Sequence, residues 1–116
     1  TLVAHGPDAD PQRLPPGLEG LGLSACEPLP LMEALAERGC NQVLWECGTV
    51  LAAAAIQQGC VQEIAAVVAP KLMGGTAART PLADLGLERM DQALGGTLLP
   101  PTPLGEDWLL RLRLSA

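Results

Sequence analysis

The sequence has no phenylalanine, no tyrosine, two tryptophans and a single histidine. So few flat rings leave little on which bases could stack. Basic residues are also scarce, seven against thirteen acidic ones for a formal charge of −6, so no cationic face exists to neutralise a phosphate backbone. Nucleic acid is therefore not expected as a partner. Long hydrophobic runs are missing too: the longest, Val50 to Ile56, stops at Gln57, far short of the roughly twenty apolar residues of a membrane helix. No basic stretch with an apolar core and a small-residue cleavage site opens the chain, and the expected setting is cytoplasmic, away from the membrane. Close cysteine pairs are lacking as well. Cys26, Cys40, Cys47 and Cys60 stand far apart and His5 is the one imidazole, so no metal set is expected and the thiols read as free, mostly small buried hydrophobes.

What is present is apolar content of 48% against 17% charged, enough for a compact fold. A chain of 116 residues buries roughly two-thirds of its unfolded surface, and the expectation is one domain over 1–116. Because the chain opens on Thr1 and runs into Leu2-Val3-Ala4, which has the look of a strand already under way, that domain is expected to be partial. Proline and glycine crowd residues 6–20, which should form a loop.

The patterning then alternates. A short strand is expected over Leu21–Ala25, then, with Pro28 and Pro30 bracketing its entrance, an amphipathic helix over Leu31–Arg38, with Leu31, Ala34, Leu35 and Arg38 on one face, Glu33 and Glu37 on another and Gly39 as its stop. Val43-Leu44-Trp45 has the apolar, β-favouring composition of a strand buried on both faces. Gly48 or Thr49 should cap a helix over Val50–Gln58, closed by Gly59. Val61–Ala69 lacks a polar face and should be an interior strand ended by Pro70. Lys71–Gly75 should be an extended turn, followed by loop over 76–86, a helical turn over Met90–Leu94 and a strand over Thr97–Leu99. Pro100, Pro101 and Pro103 suggest an irregular stretch, Leu104–Asp107 a turn, and Trp108–Leu114 alternates strictly enough to close an antiparallel hairpin. The fold class is α/β: a mixed sheet with flanking helices, parallel first and antiparallel at the end.

One local arrangement has a physical reason to bind a ligand. In Leu44-Trp45-Glu46-Cys47-Gly48-Thr49 a strand is expected to turn directly into a helix, whose first amides lack partners and carry partial positive charge, and Gly48 lets an anion approach them. Glu46 stands where ligands of open α/β sheets sit. The same residues also suit a plainer role, with Gly48 making the turn and Glu46 capping the helix. Lys71 beside Gly74 and Gly75 is a second phosphate candidate, with a solvated lysine as the plain alternative. Glu106 and Asp107 read as solvated turn acids, Arg111 and Arg113 as an exposed strand face, and His5 has no assigned role.

Val43 to Gly48, the alanine helix, the run Val61-Gln62-Glu63-Ile64 through Ala69-Pro70-Lys71-Leu72-Met73-Gly74-Gly75, and Leu104-Gly105-Glu106-Asp107 resemble, in order and spacing, the second half of the reductase domain of the bifunctional riboflavin-biosynthesis deaminase/reductase. The likeness covers about Gly39 to Leu114. It implies a dihydrofolate-reductase-like fold, incomplete here, and NADPH-dependent reduction of the ribose of 5-amino-6-(5-phosphoribosylamino)uracil to a ribityl chain. By this resemblance Glu46 touches substrate, and Gly48, Thr49, Val50, Leu51, Ala52, Ala53 and Ala54 occupy cofactor positions. Arg79 is the basic residue considered for the cofactor's 2′-phosphate, and the chain would pair as a homodimer. Two departures stand out. Cys47 replaces the glycine usual there, and the family's first half would lie before Thr1, so the fragment alone is expected to hold part of the active site. The competing expectation is a non-catalytic α/β module for dimerisation or regulation.

Overall fold

The structure, a computed structural model, describes residues 1–75, 77 and 79–115. The chain forms two compact units, Thr1–Cys47 and Gly48–Ala116, and each is built on its own sheet.

In the first unit β1 (Leu2–His5) pairs in parallel with β2 (Glu19–Gly22), Leu2 opposite Glu19 and His5 opposite Gly22. The strand expected over Leu21–Ala25 thus begins two residues earlier and ends at Gly22, where Leu23, buried, donates its amide to His5 O at 2.8 Å. Within residues 6–20 a 3-10 turn spans Pro11–Arg13. Helix α1 (Pro28–Glu37) starts three residues before its expected first turn. Pro28 and Pro30 lie inside that turn rather than bracketing it, because the amides they lack would be unpaired there anyway. Leu31, Ala34 and Leu35 are half-buried while Glu33 and Glu37 are exposed. At its end Gly39, at φ +85°, donates to Ala36 O at 2.9 Å and Cys40 donates to Leu35 O at 3.0 Å, a Schellman closure that needs the left-handed glycine.

Val43-Leu44-Trp45 joins neither sheet, and Leu44 is 78% exposed. The expected doubly buried strand is absent. Apolar β-favouring residues extend the backbone, but a strand also needs a neighbouring ladder, and neither sheet provides one for this segment.

The second unit opens with α2 (Thr49–Gln57), capped by Gly48 as expected. It closes as α1 does: Gly59, at φ +70°, donates to Ile56 O at 3.0 Å and Cys60 to Ala55 O at 2.8 Å. Among the described residues of this unit, the buried apolar ones are Ala53, Ala55 and Cys60. The sheet is organised around β6 (Asp107–Leu114), which pairs antiparallel with β3 (Glu63–Val68), β4 (Gly96–Leu98) and β5 (Thr102–Leu104). Trp108 is opposite both Val68 of β3 and Pro103 of β5, so β3 lines one edge of β6 while β5 and β4 follow one another along the other. β3 is expected in the interior of a sheet, yet among the described residues it pairs with β6 alone and lies at the margin, with Val67 60% exposed. Composition without a polar face does not fix the number of neighbours. The expected irregular stretch around Pro103 is the strand β5, permitted because proline sits at a sheet edge without a ladder amide to lose.

Residues opposite one another share a sheet face. Ile64, Ala66 and Val68 therefore stand with Leu112, Leu110 and Trp108, and Glu63, Ala65 and Val67 with Arg113, Arg111 and Leu109. On the second face the Glu63 carboxylate accepts from Arg111 Nε at 2.6 Å and lies 3.7 Å from Arg113 Nη2. The architecture is α/β as expected, with parallel pairing first and antiparallel pairing later, distributed over two sheets.

Candidate functional site

The start of α2 carries the strongest chemistry. Gly48 is extended, φ −72° and ψ 169°, and no side chain caps the helix. The first intrahelical bond runs from Ala52 N to Gly48 O at 3.0 Å, which leaves the amides of the opening turn without backbone acceptors. Serine or aspartate at this position would turn its own oxygen onto them. Glycine does not, and a Cβ built on Gly48 meets nothing within 4 Å, so the approach is open. The amides point to a space an anion can enter.

An open recess of ≈510 Å³ lies there, lined by Gly48, Thr49, Arg79 and Thr80. Its far wall is positioned by chain segments distant in sequence. Ala83 N donates to Thr49 O at 3.1 Å and Gln57 Nε2 to Leu85 O at 3.3 Å, so residues 83–85 run alongside α2. Thr80 Oγ1 donates to Leu82 O at 2.6 Å, which commits its proton and makes it a wall rather than a donor. Arg79 is exposed and forms no ion pair among the described residues. Partly positive helix amides and an unpaired guanidinium line one recess, a donor set suited to a phosphate or pyrophosphate.

The other expected residues are placed as follows. Val50 is 74% exposed and Leu51 44%, Ala53 is buried, and Ala52 and Ala54 are half-buried. Glu46 is exposed, two residues ahead of Gly48 in the chain. Lys71 does not line the recess; of its two glycines only Gly75, at φ +128°, takes a positive angle. Glu106 is exposed in the tight turn made by Gly105 at φ +65°. Arg111 and Arg113 serve a structural purpose, since both face Glu63, and the Arg111 guanidinium hydrogen-bonded to that carboxylate holds it below its usual range. The cysteines are free thiols, but only Cys60 is buried, Cys47 is half-buried and Cys26 and Cys40 are exposed, so the expectation of mostly buried thiols fails. No group of three metal-ligating side chains occurs among the described residues, and no helix among them is long and apolar enough to cross a membrane. Sequence reasoning missed Thr80, for which no local signal exists: only the return of the chain along α2 brings it to the recess.

The family model of the RibD C-terminal domain matches residues 8–110. A riboflavin biosynthesis protein RibD from Synechocystis sp. is 51% identical over 79% of this chain and 25% of its own length. The chloroplastic riboflavin biosynthesis protein PYRR of Arabidopsis thaliana is 42% identical over 67% of this chain and 13% of its own length. Among solved structures, Acinetobacter baumannii RibD superposes with a TM-score of 0.71 at 32% identity, over 85% of this chain and 27% of that one. The chain thus spans about a quarter or less of the relatives it matches. With the family model covering most of its length and the sheet-and-helix arrangement shared with a solved RibD, the chain belongs to the RibD C-terminal domain family, the reductase domain that its residues resemble.

Proposed function

We propose that the chain forms part of an NADPH-dependent reductase of riboflavin biosynthesis acting on 5-amino-6-(5-phosphoribosylamino)uracil, and that the start of α2 holds the cofactor's pyrophosphate. The observation that carries this reading is the uncapped helix start facing Arg79 across an open recess. In this reading the amides of Gly48, Thr49 and Val50 donate to phosphate oxygens, and the Arg79 guanidinium adds a charged contact there or at the 2′-phosphate. Leu51 and Ala52 to Ala54 complete the helical turns that keep those amides aligned, and small side chains let neighbours approach closely. Bound NADPH supplies the hydride. Glu46 positions the substrate by accepting hydrogen bonds from a hydroxyl or ring N–H, without giving up a proton. Pairing of two copies, and a cytoplasmic setting without nucleic-acid or membrane partners, belong to the same reading. An edge strand as bare as β3 supports the pairing.

The test uses the helix cap. Gly48→Asp fits the extended backbone and the open space, and its carboxylate satisfies the helix amides. It should raise stability by a few tenths of a kcal/mol while abolishing saturable quenching of tryptophan emission by NADPH in the complete enzyme. Arg79→Ala should weaken NADPH roughly tenfold, the value of one charged hydrogen bond, and Glu46→Gln should weaken substrate far more than NADPH. Unchanged NADPH affinity in Gly48→Asp refutes the pyrophosphate assignment.

A further inference from the structure

Helix α2 is flanked by a chain segment that belongs to no element. Ala83 N donates to Thr49 O at 3.1 Å at the first residue of the helix, and Gln57 Nε2 donates to Leu85 O at 3.3 Å from the last. The segment therefore runs in the helix direction, with Leu82, Ala83 and Leu85 half-buried and Asp84 exposed between them. It turns away at Gly86, whose amide donates to Asp84 Oδ1 at 2.8 Å and whose φ is +68°. The spans explain why a glutamine makes the second tie. Thr49 and Gln57, eight residues apart in the helix, are separated by about 12 Å, whereas the extended chain from Ala83 to Leu85 covers about 7 Å. A helical side chain leans toward the N-terminus, so the long arm of Gln57 reaches back over the difference. Asparagine, a methylene shorter, would fall short.

Arg79 stands four residues ahead of the first tie, exposed and in no ion pair among the described residues, yet it lines the same recess as Gly48 and Thr49. Its place is set by the backbone that leads from it to Ala83 and Leu85, folded in between by the bond from Thr80 Oγ1 to Leu82 O at 2.6 Å. We propose that Gln57, which does not line the recess, is a positioning residue for the cofactor's phosphates: its side-chain amide pins residues 83–85 along α2 and so holds the Arg79 guanidinium at the recess before the ligand arrives. A guanidinium already in place need not be ordered on binding, so more of its charged hydrogen bond appears as affinity. The inference rests on the reading of the recess as the pyrophosphate site, and it goes beyond that reading by assigning the geometry of the site to a side chain that touches no ligand.

Gln57→Met keeps the reach and helix preference of the side chain and removes the donor, whereas Gln57→Lys restores a donor of similar reach. In the complete enzyme without cofactor, Gln57→Met should speed deuterium exchange in the peptide spanning residues 79–86 roughly fivefold, the worth of one neutral hydrogen bond, and Gln57→Lys should return it toward the parent rate. With NADPH, Gln57→Met should weaken binding by a similar factor, yet have no further effect in the Arg79→Ala background, because the two changes remove the same contact. An equal loss of affinity in both backgrounds marks a glutamine that only supports the fold and overturns the proposal, as does unchanged exchange in Gln57→Met. Unchanged NADPH affinity in Gly48→Asp sinks the pyrophosphate reading and this role with it. Affinity lost in Gly48→Asp but kept in Gln57→Met sinks the positioning role alone.

Discussion

In residues 1–47 two four-residue strands lie parallel, whereas in residues 48–116 a single eight-residue strand carries three antiparallel partners. The parallel pair is filled in by side chains, with His5 and Leu14 lying over Gly20. The antiparallel sheet is tightened by backbone, because at Gly96 the nearest atom to a built Cβ is Arg113 O at 2.5 Å. Two glycines of similar appearance in the sequence thus protect different things, one the space for a flexible side chain and the other the spacing of a ladder.

That contrast is open to a direct test. Gly96→Ala must push β4 off β6, since a carbonyl in a ladder cannot rotate away, and should cost about 1–3 kcal/mol, seen as a fall in the thermal midpoint of roughly 5 °C or more. Gly20→Ala should cost less than about 1 kcal/mol, because Leu14 can change rotamer. Equal losses would erase the distinction. A smaller effect sharpens the electrostatic side of the second unit. The Glu63 carboxyl is held below its ordinary value of 4.5, chiefly by the hydrogen bond from Arg111. A lowered folded value means that its contribution is present above that ordinary value and disappears as pH falls through the lower one. Glu63→Gln should therefore flatten the acid limb of the stability curve below pH 4.5 and leave Asp91, similarly lowered by Arg89, to titrate unchanged. The smallest effect belongs to the first unit, where Arg38 and Glu19 form an exposed pair. Arg38→Ala should change stability by no more than about 1 kcal/mol, and 1 M salt should remove the difference.

What the sequence disclosed divides along similar lines. Both helix ends were readable because a left-handed glycine closes each in the same way, and the β6 hairpin was readable because Trp108, Leu110, Leu112 and Leu114 repeat with period two. The start of α1 is hard to read from sequence because proline suggests a boundary, although the first turn accepts it. Val43-Leu44-Trp45 and β3 depart from expectation for a deeper reason: residue type favours extended backbone, but the number of neighbouring strands is decided elsewhere in the chain. At the candidate site the open helix cap was visible from Gly48 and Thr49, while the position of Arg79 beside it depends on Ala83 and Leu85 docking along α2, a contact without a local signature.

The order in which the strands are made has a consequence for synthesis. Among the described residues β3, β4 and β5 pair with β6 and not with one another, and β6 follows all three in the chain. As the polypeptide leaves the ribosome, Ile64 to Val68 must wait for its partner for several seconds at roughly 5–20 residues per second. During that interval an uncharged, β-prone segment is bare, and a chaperone that shields it should raise the yield of folded protein more than one acting after release.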